Sequence, residues 1–595
     1  GTGLAPLRLQ VGSEALTKPV VARVIPDVAG MDKEFDYEVP PGLPDVGVGS
    51  VVRVGLNGRK VDGWVVATGF HGAPGFDSVA ADRLTPVLSV AAHGVDPVVA
   101  EMSEWVAQRW CGPRRSVLRS ATPVRKRSRA AHESHGHVRP VEDAVATAAH
   151  GLLDAGGGLL MVPPLASALS AVTAVASAGT VLVVCPTLRM ARLGAAYLRR
   201  RGCTTAELPD EIDAALAGRD VVVGSRSAVL APCAGLAAIV VIDEHEESLH
   251  EERVPTWWAA EVAIERGRRA GVPVILTSAV PSARSEMILG PATTVHEATT
   301  VRESGWPAVT VVDLSGVSVG GSLLTSEAIE TVRTSGGRSL LVLNTKGTGR
   351  LMACRRCRTI LTCSGCGSAV AVKDGATTCS QCHISTEAVC GECGGTSLLN
   401  VRPGVSRLAA DLASATGANV AEVTAGAEDI DGSADAWVGT DAVLHRVRDA
   451  SCVVFLDVDR DLAAPRSSAT RELLASFARA ARIVGRDGRL IVQTRQPDHP
   501  LLVALARGDL RSWLHDDVSL RRRLGLPPFS ETAVITADVA MDESTVPVVG
   551  GADWALTDGT LTVRAADATT LRGFVDQLRA GVQGHVRVAV NPPRI

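Results

Sequence analysis

Aromatic side chains make up only 3% of the 595 residues, and only six lysines, at positions 18, 33, 60, 126, 346 and 373, stand among the 60 basic residues. The first scarcity limits base stacking to a few platforms. The second restricts where a lysine that grips phosphate can lie. No apolar run reaches the roughly 18 residues of a membrane span, and the opening Gly-Thr-Gly-Leu-Ala-Pro has neither a basic nor an apolar leader region. A cytoplasmic location is the expectation, which argues against disulfides. The formal net charge of −4 excludes a globally basic surface, so any nucleic-acid footprint must be local. Hydrophobic content of 46% indicates packed cores, and the length suggests roughly three or four domains.

Against these shortages stands a local excess. Eight of the thirteen cysteines fall between 354 and 393 in four Cys-x-x-Cys pairs. Each pair presents two sulfurs on one side of a tight knuckle, and two knuckles close a tetrahedral four-thiolate shell with no open position, the structural type of zinc site. Twelve residues separate Cys366 from Cys379 and five separate Cys357 from Cys363. This spacing favours nesting, with Cys363, Cys366, Cys379 and Cys382 holding an inner ion and Cys354, Cys357, Cys390 and Cys393 an outer one. Two structural zinc ions are therefore expected, and Cys111, Cys185, Cys203, Cys233 and Cys452 are left as ordinary buried cysteines. Ordering about forty residues costs roughly 1–2 kcal/mol each. Zinc supplies about 10–16 kcal/mol per structural site, so the module should not fold without metal.

Short strands separated by Gly and Pro turns run from Pro19 to about Val90, and a helix follows near Asp96–Cys111. This predicts a β-rich domain over 1–112. Residues 113–140 carry Arg114, Arg115, Arg119, Arg125, Lys126, Arg127, Arg129 and Arg139 against the single acid Glu133, which reads as a flexible basic linker able to contact phosphates. From Val141 short apolar strands alternate with Ala-rich helices, the pattern of a doubly wound parallel sheet. The fold class predicted is α/β: one lobe over 141–305, a second over 306–351 and 397–497 with the cysteine module inserted at 352–396, and a small α+β domain over 498–595.

Two such lobes suggest an ATP-driven translocase. Val240-Val-Ile-Asp243-Glu244 has the form of a Walker-B strand, with one carboxylate for magnesium and one to orient water. The phosphate loop that should follow the first strand reads Leu159-Leu-Met-Val-Pro-Pro-Leu-Ala-Ser-Ala. Two prolines remove amide donors, no glycine permits the wrap, and no lysine occurs between Lys126 and Lys346. A phosphate cradle of this kind cannot be built there, and ATP is a doubtful ligand.

Several landmarks in order, Phe35-Asp36-Tyr37, Gly224-Ser-Arg-Ser-Ala228, Asp243-Glu244, the cysteine module, Phe455-Leu-Asp-Val-Asp459, Val492-Gln-Thr494 and Leu526-Pro-Pro-Phe529, resemble the bacterial replication-restart (primosomal) PriA family of superfamily-2 helicases. The resemblance implies tandem RecA-like lobes, two nested zinc sites, and an N-terminal domain that takes the free 3′ end of a nascent strand through Phe35, Asp36, Tyr37 and Gly58. In that reading an aromatic ring stacks the terminal base, while Asp36 accepts a hydrogen bond from a 3′-hydroxyl and repels a phosphate. It also implies forked DNA, helicase-loading proteins and single-stranded DNA-binding protein as partners. The departures are specific. Motif II is Asp243-Glu-His-Glu246 instead of Asp-Glu-Glu-His, the arginine positions of the motif before Gln493 fall on Ala480 and Ile483, Asn344-Thr-Lys-Gly-Thr348 replaces Asn-Arg-Arg-Gly-aromatic, and Thr85, with Arg83 close by, stands where the pocket has a lysine. The expectation is a DNA-binding pseudo-helicase of replication restart. An active 3′–5′ helicase with aberrant motifs and a zinc-stabilised interaction scaffold are the alternatives.

Overall fold

The computed structural model describes residues 19–593 apart from 124–134, 295–304, 318–321, 345–351, 365–369, 380–383, 401–404, 424–431 and the positions 44, 78, 92–93, 140, 358, 360, 362, 374–375 and 465. The chain divides into two compact units, one of 1–161, 168–293 and 520–595, the other of 162–167 and 294–519.

In the first unit, six short strands run in the order Thr85–Pro86, Phe35–Glu38, Val20–Pro26, Arg59–Phe70, Val51–Leu56, Ser89–Val90. The first and last of these are neighbours in sequence, and the chain joining them bonds to both sides, Val87 N to Glu38 O at 2.9 Å and Leu88 N to Arg53 O at 2.8 Å. The sheet therefore curls into a barrel. Alternation sends Ala22, Val24, Tyr37, Val52, Val54, Val65 and Val87 inward. Asn57 and Gly58, at φ 50° and 75°, make the tight turn between the strands Val51–Leu56 and Arg59–Phe70, the left-handed pair that a two-residue hairpin requires.

The helix Pro97–Arg109 follows, started by Asp96, whose side chain accepts from Val98 N. The expected basic linker begins instead as a second helix, Arg114–Ala121, burying Val117, Leu118 and Ala121. Its cations are consumed within the domain. Arg114 Nη1 lies 2.9 Å from Glu34, Arg114 Nε donates to Ser103 at 2.8 Å, and Arg115 lies 2.6 Å from Asp27. Counting charge along the chain missed this because the acids come from the barrel. Arg125, Lys126, Arg127 and Arg129 lie outside the described residues.

The rest of the first unit is a parallel sheet and a C-terminal layer. Gly157–Met161, Val274–Ser278, Leu236–Val241, Thr180–Val184, Val221–Gly224 and Thr205–Glu207 lie side by side in that order, all parallel. The tail forms a four-stranded antiparallel sheet, Ala552–Thr557, Thr560–Ala565, Glu531–Ala537, Val586–Val590. It is backed by the helix Ala568–Gly581 through Leu571, Phe574, Val575 and Leu578. A buried charge cluster ties these layers together. Arg109 and Arg284 bracket Glu261 and Glu531, and Asn591 donates to Glu531.

The second unit holds the other parallel sheet, in the order Ala308–Asp313, Arg489–Thr494, Cys452–Phe455, Ser339–Val342, Ala436–Gly439, Val420–Val423. Two parallel α/β lobes with a cysteine module in the second are thus the architecture. The helix Pro500–Arg507 packs with this unit rather than with the C-terminal layer that the sequence assigned it to.

Candidate functional site

The cysteine module brings together the outer quartet. Cys354 ends the strand Met352–Cys354, paired with Leu398–Asn400, so the two ends of the module meet and carry Cys357, Cys390 and Cys393 with them. The four sulfurs lie within 4.8 Å of one another, with 3.5 Å between Cys354 and Cys393 and between Cys357 and Cys390. A tetrahedral zinc–thiolate shell with bonds of about 2.3 Å places sulfurs roughly 3.8 Å apart, so the quartet fits that ion. Gly395 leaves close room beside it, since a Cβ there would stand 3.1 Å from the Cys354 sulfur and 3.3 Å from that of Cys393. Hydrogen bonding by Thr359 pulls Cys357 down to about 6, while Cys393, despite the Gly395 amide, is pushed up to about 12 by the neighbouring Cys357 and Cys354. Without a cation the crowded sulfurs must share protons, and a divalent ion removes that conflict. Of the inner quartet, Cys379 ends the strand Ala376–Cys379, paired with Val370–Lys373, and is buried in one cluster with Cys363. Cys366 and Cys382 lie outside the described residues. The five remaining cysteines are all buried.

At the end of the strand Leu236–Val241 the carboxylates of Asp243 and Glu244 are 3% and 1% exposed, and Asp243 sits at φ 50°. Glu244 is engaged by three protein donors. It accepts from Ser282 N at 2.6 Å, Ser282 Oγ at 2.9 Å and Ser285 Oγ at 2.7 Å, which anchors the first turn of the helix Ala283–Leu289. Three protein donors take most of the roughly four acceptor positions of a carboxylate, and they fix this one against the helix. In the second unit, the segment Val162–Ser167 folds with Ala166 N on Pro163 O and Leu165 N on Gly305 O, and its two prolines contribute no donors. Ala480 and Ile483, on the helix Ala469–Val484, are 0% and 8% exposed and turned into the core. An arginine at either position would have to be buried. Gln493 is likewise internal, bonded to Thr325 Oγ1, Leu323 O and Leu456 O.

On the barrel, strand alternation splits the Phe35-Asp36-Tyr37 trio. Tyr37 points inward at 2% exposure and donates to Gly55 O at 3.1 Å, with Phe35 packed against the same interior. The Tyr37 ring is therefore closed off by the barrel wall. Asp36 faces outward, yet its carboxylate is not bare. Arg23, directly opposite in the antiparallel register, bonds it through Nε at 2.8 Å and Nη2 at 3.0 Å, and the Arg23 guanidinium rests 4.8 Å from the Phe76 ring centre. The sequence reading missed both Arg23 and Phe76, since neither is adjacent to the trio in the chain. Gly58 is set by its turn, and Thr85 pairs in register with Tyr37.

Residues 23–123 match the family model of the PriA 3′DNA-binding domain, covering the barrel and both following helices. The replication restart protein PriA of Haemophilus influenzae is 25% identical over 347 residues, 53% of this chain and 47% of that protein. The PriA of Bacillus subtilis is 27% identical over 355 residues, 53% of this chain and 43% of that one. By sequence, the chain is a relative of the PriA proteins. It spans about half the length of the curated PriA relatives it matches. Solved structures are alike only loosely. Saccharomyces cerevisiae Dbp5 bound to RNA and ADP BeF3 gives a TM-score of 0.35 at 12% identity, over 64% of this chain and 94% of Dbp5. The DUF1998 helicase MrfA bound to DNA gives 0.32 at 11%, over 61% and 53%. Among the described residues no helix is long and apolar enough to cross a membrane. The match to that family model extends to residue 123 and so takes in the helix Arg114–Ala121.

Proposed function

We propose that this chain is a DNA-binding component of replication restart that engages the 3′ end of a strand at a stalled fork, and that its helicase-like lobes act as a scaffold without hydrolysing ATP. The match of the barrel to a 3′DNA-binding domain carries the first half of this reading. The second half is supported by Glu244, which is engaged as the anchor of a helix, and by the core-facing Ala480 and Ile483. Two zinc ions, held by Cys354, Cys357, Cys390 and Cys393 and by Cys363, Cys366, Cys379 and Cys382, stabilise the inserted module. Forked DNA, helicase-loading proteins and single-stranded DNA-binding protein are the partners in this reading.

The test pairs binding with turnover, using zinc-loaded full chain. Fork DNA carrying an accessible nascent 3′ end should bind more tightly than the same fork with that end removed, and no DNA-stimulated ATP hydrolysis should be detected. Hydrolysis near 1 per second, the low end of ordinary enzyme turnover, abolished by Asp243→Ala, would identify an active motor instead. Equal affinity for both forks would leave the interaction scaffold as the better account.

A further inference from the structure

On the first parallel sheet, the helix Leu188–Arg200 turns a row of arginines to solvent, and the chain between Thr187 and Ala206 holds no Asp or Glu. Ala191, Gly194, Ala195 and Leu198 form its buried side. At about 100° per residue, Arg189, Arg192, Arg199 and Arg200 fall on the opposite side within an arc of roughly 100°. All four are exposed. Arg199 is paired with Glu207 and Glu211, whereas Arg189, Arg192 and Arg200 have no ion pair among the described residues. Arg189 also stands in the first turn, where the helix dipole favours an anion. A strap extends this side. Asp220, 4% exposed, accepts from Gly136 N at 2.8 Å and Thr204 N at 2.7 Å, with His135 Nδ1 3.1 Å away. Gly136 and Gly202 face each other, so that a Cβ on the first would meet Gly202 O and one on the second would meet His137 O. Arg139 N then donates to Arg201 O at 2.8 Å, which sets Arg139 beside the C-terminal end of the helix. Arg114 and Arg115 are neutralised by acids of the barrel, but Arg139 is exposed and has no ion pair among the described residues.

We propose that Arg189, Arg192 and Arg200, with Arg139 beside them, dock the phosphate backbone of a DNA duplex. This rests on the DNA-binding reading above and adds to it a surface on the first parallel sheet that needs no strand end. Charge complementarity selects the occupant. From Arg189 to Arg200 the helix rises about 16 Å, along which a duplex presents roughly ten phosphate charges at one per about 1.7 Å of its axis. Cations fixed on a seated helix meet that dense, regular row directly, whereas an acidic peptide would first have to be ordered to match them. Every cation of the row is an arginine, whose planar fork suits phosphate oxygens better than a lysine does. Leu193, 59% exposed beside the row, offers an apolar contact to deoxyribose. An anionic bilayer fits poorly, since an interfacial helix sinks its apolar side into the acyl boundary and this helix has that side committed to the sheet. In a chain of net charge −4, the row is the kind of local footprint that nucleic acid requires.

Zinc-loaded full chain is titrated with a closed duplex minicircle, which has no 3′ end, between about 50 and 200 mM salt. Wild type should bind it, with log affinity falling linearly in log salt. Combined Arg189→Gln, Arg192→Gln and Arg200→Gln should bind about tenfold more weakly at the low-salt end and lower the slope by about 2 to 3, at roughly 0.9 per phosphate contact. Arg139→Gln should lower it by about 1 further. Gly202→Ala, which keeps every charge but drives the strap from the helix end, should act as Arg139→Gln does. Arg268→Gln, on the helix Ala259–Ala270 where Glu265 already neutralises the arginine, should leave the slope unchanged. The preference of the triple variant for forks with a nascent 3′ end over forks without one should equal that of wild type. If the triple variant binds the minicircle with wild-type affinity and slope, or if poly-L-glutamate of equal charge displaces the duplex as well as unlabelled duplex does, the surface is refuted and the 3′-end reading stands. If wild type binds neither minicircle nor fork, both fall.

Discussion

Replacing Glu531 by Gln tests what holds the barrel, the first parallel sheet and the C-terminal layer together. Glu531 begins the strand Glu531–Ala537, with its side chain 8% exposed. Burial alone would raise its pKa, but Arg284 and Arg109 hold the carboxyl below the usual range. Arg284 reaches it through Nη1 at 2.9 Å and Nη2 at 3.2 Å, Arg109 through Nη2 at 3.2 Å, and Glu261 completes a cluster of two cations and two anions. The Gln side chain keeps the shape and still accepts from Asn591, but leaves two guanidiniums, 9% and 18% exposed, facing one carboxylate. Breaking a buried pair in this way costs about 3–5 kcal/mol. Denaturant unfolding followed by tryptophan fluorescence is suited to the measurement, because Trp258 donates to Asn591 O at 3.3 Å beside the cluster. Double substitution with Arg284→Met should restore part of the loss, since it removes the stranded cation. The sign with pH is fixed as well: the folded pKa lies below the unfolded value near 4.3, so the contribution of Glu531 is present above that pH and disappears as pH falls through the folded value. A loss below about 1 kcal/mol, or no recovery in the double variant, would refute the cluster as the clasp of this unit.

Two further outcomes follow from single sites. Elemental analysis of purified protein should find two zinc ions per chain and no iron, and Cys354→Ser should release the outer ion and unfold the module, because each structural site supplies about 10–16 kcal/mol; retention of both ions would refute the pairing. His250 is buried against Trp258, with the ring centres 4.8 Å apart, and burial followed by the Arg226 charge pushes it down to about 4. Because its folded pKa is depressed, its contribution, on the order of 3 kcal/mol, is complete above about 6.5 and lost as pH falls toward 4. Thermal scans should show this window for wild type and a flattened one for His250→Gln, and identical profiles would refute it.

The sequence by itself determined whatever depends on local spacing. Alternating short apolar strands and Ala-rich helices specified two parallel sheets. Knuckle spacing suggested which four cysteines could meet, and the outer four do meet. The missing glycines and lysine after Leu159 pointed away from a phosphate loop of the Walker-A kind, because that chemistry is carried by adjacent residues. Tertiary structure decided what depends on partners far along the chain. The cations of 113–121 looked free and are neutralised by Asp27, Asp32 and Glu34, which lie some eighty residues away. Glu244 looked catalytic and is held by Ser282 and Ser285 at the start of another element. Period-two alternation placed Phe35 and Tyr37 on one face and Asp36 on the other, but not which face was inside. Barrel closure turned the aromatics inward and set Asp36 against Arg23 and Phe76, because a strand's two faces become different environments only once the sheet has curled.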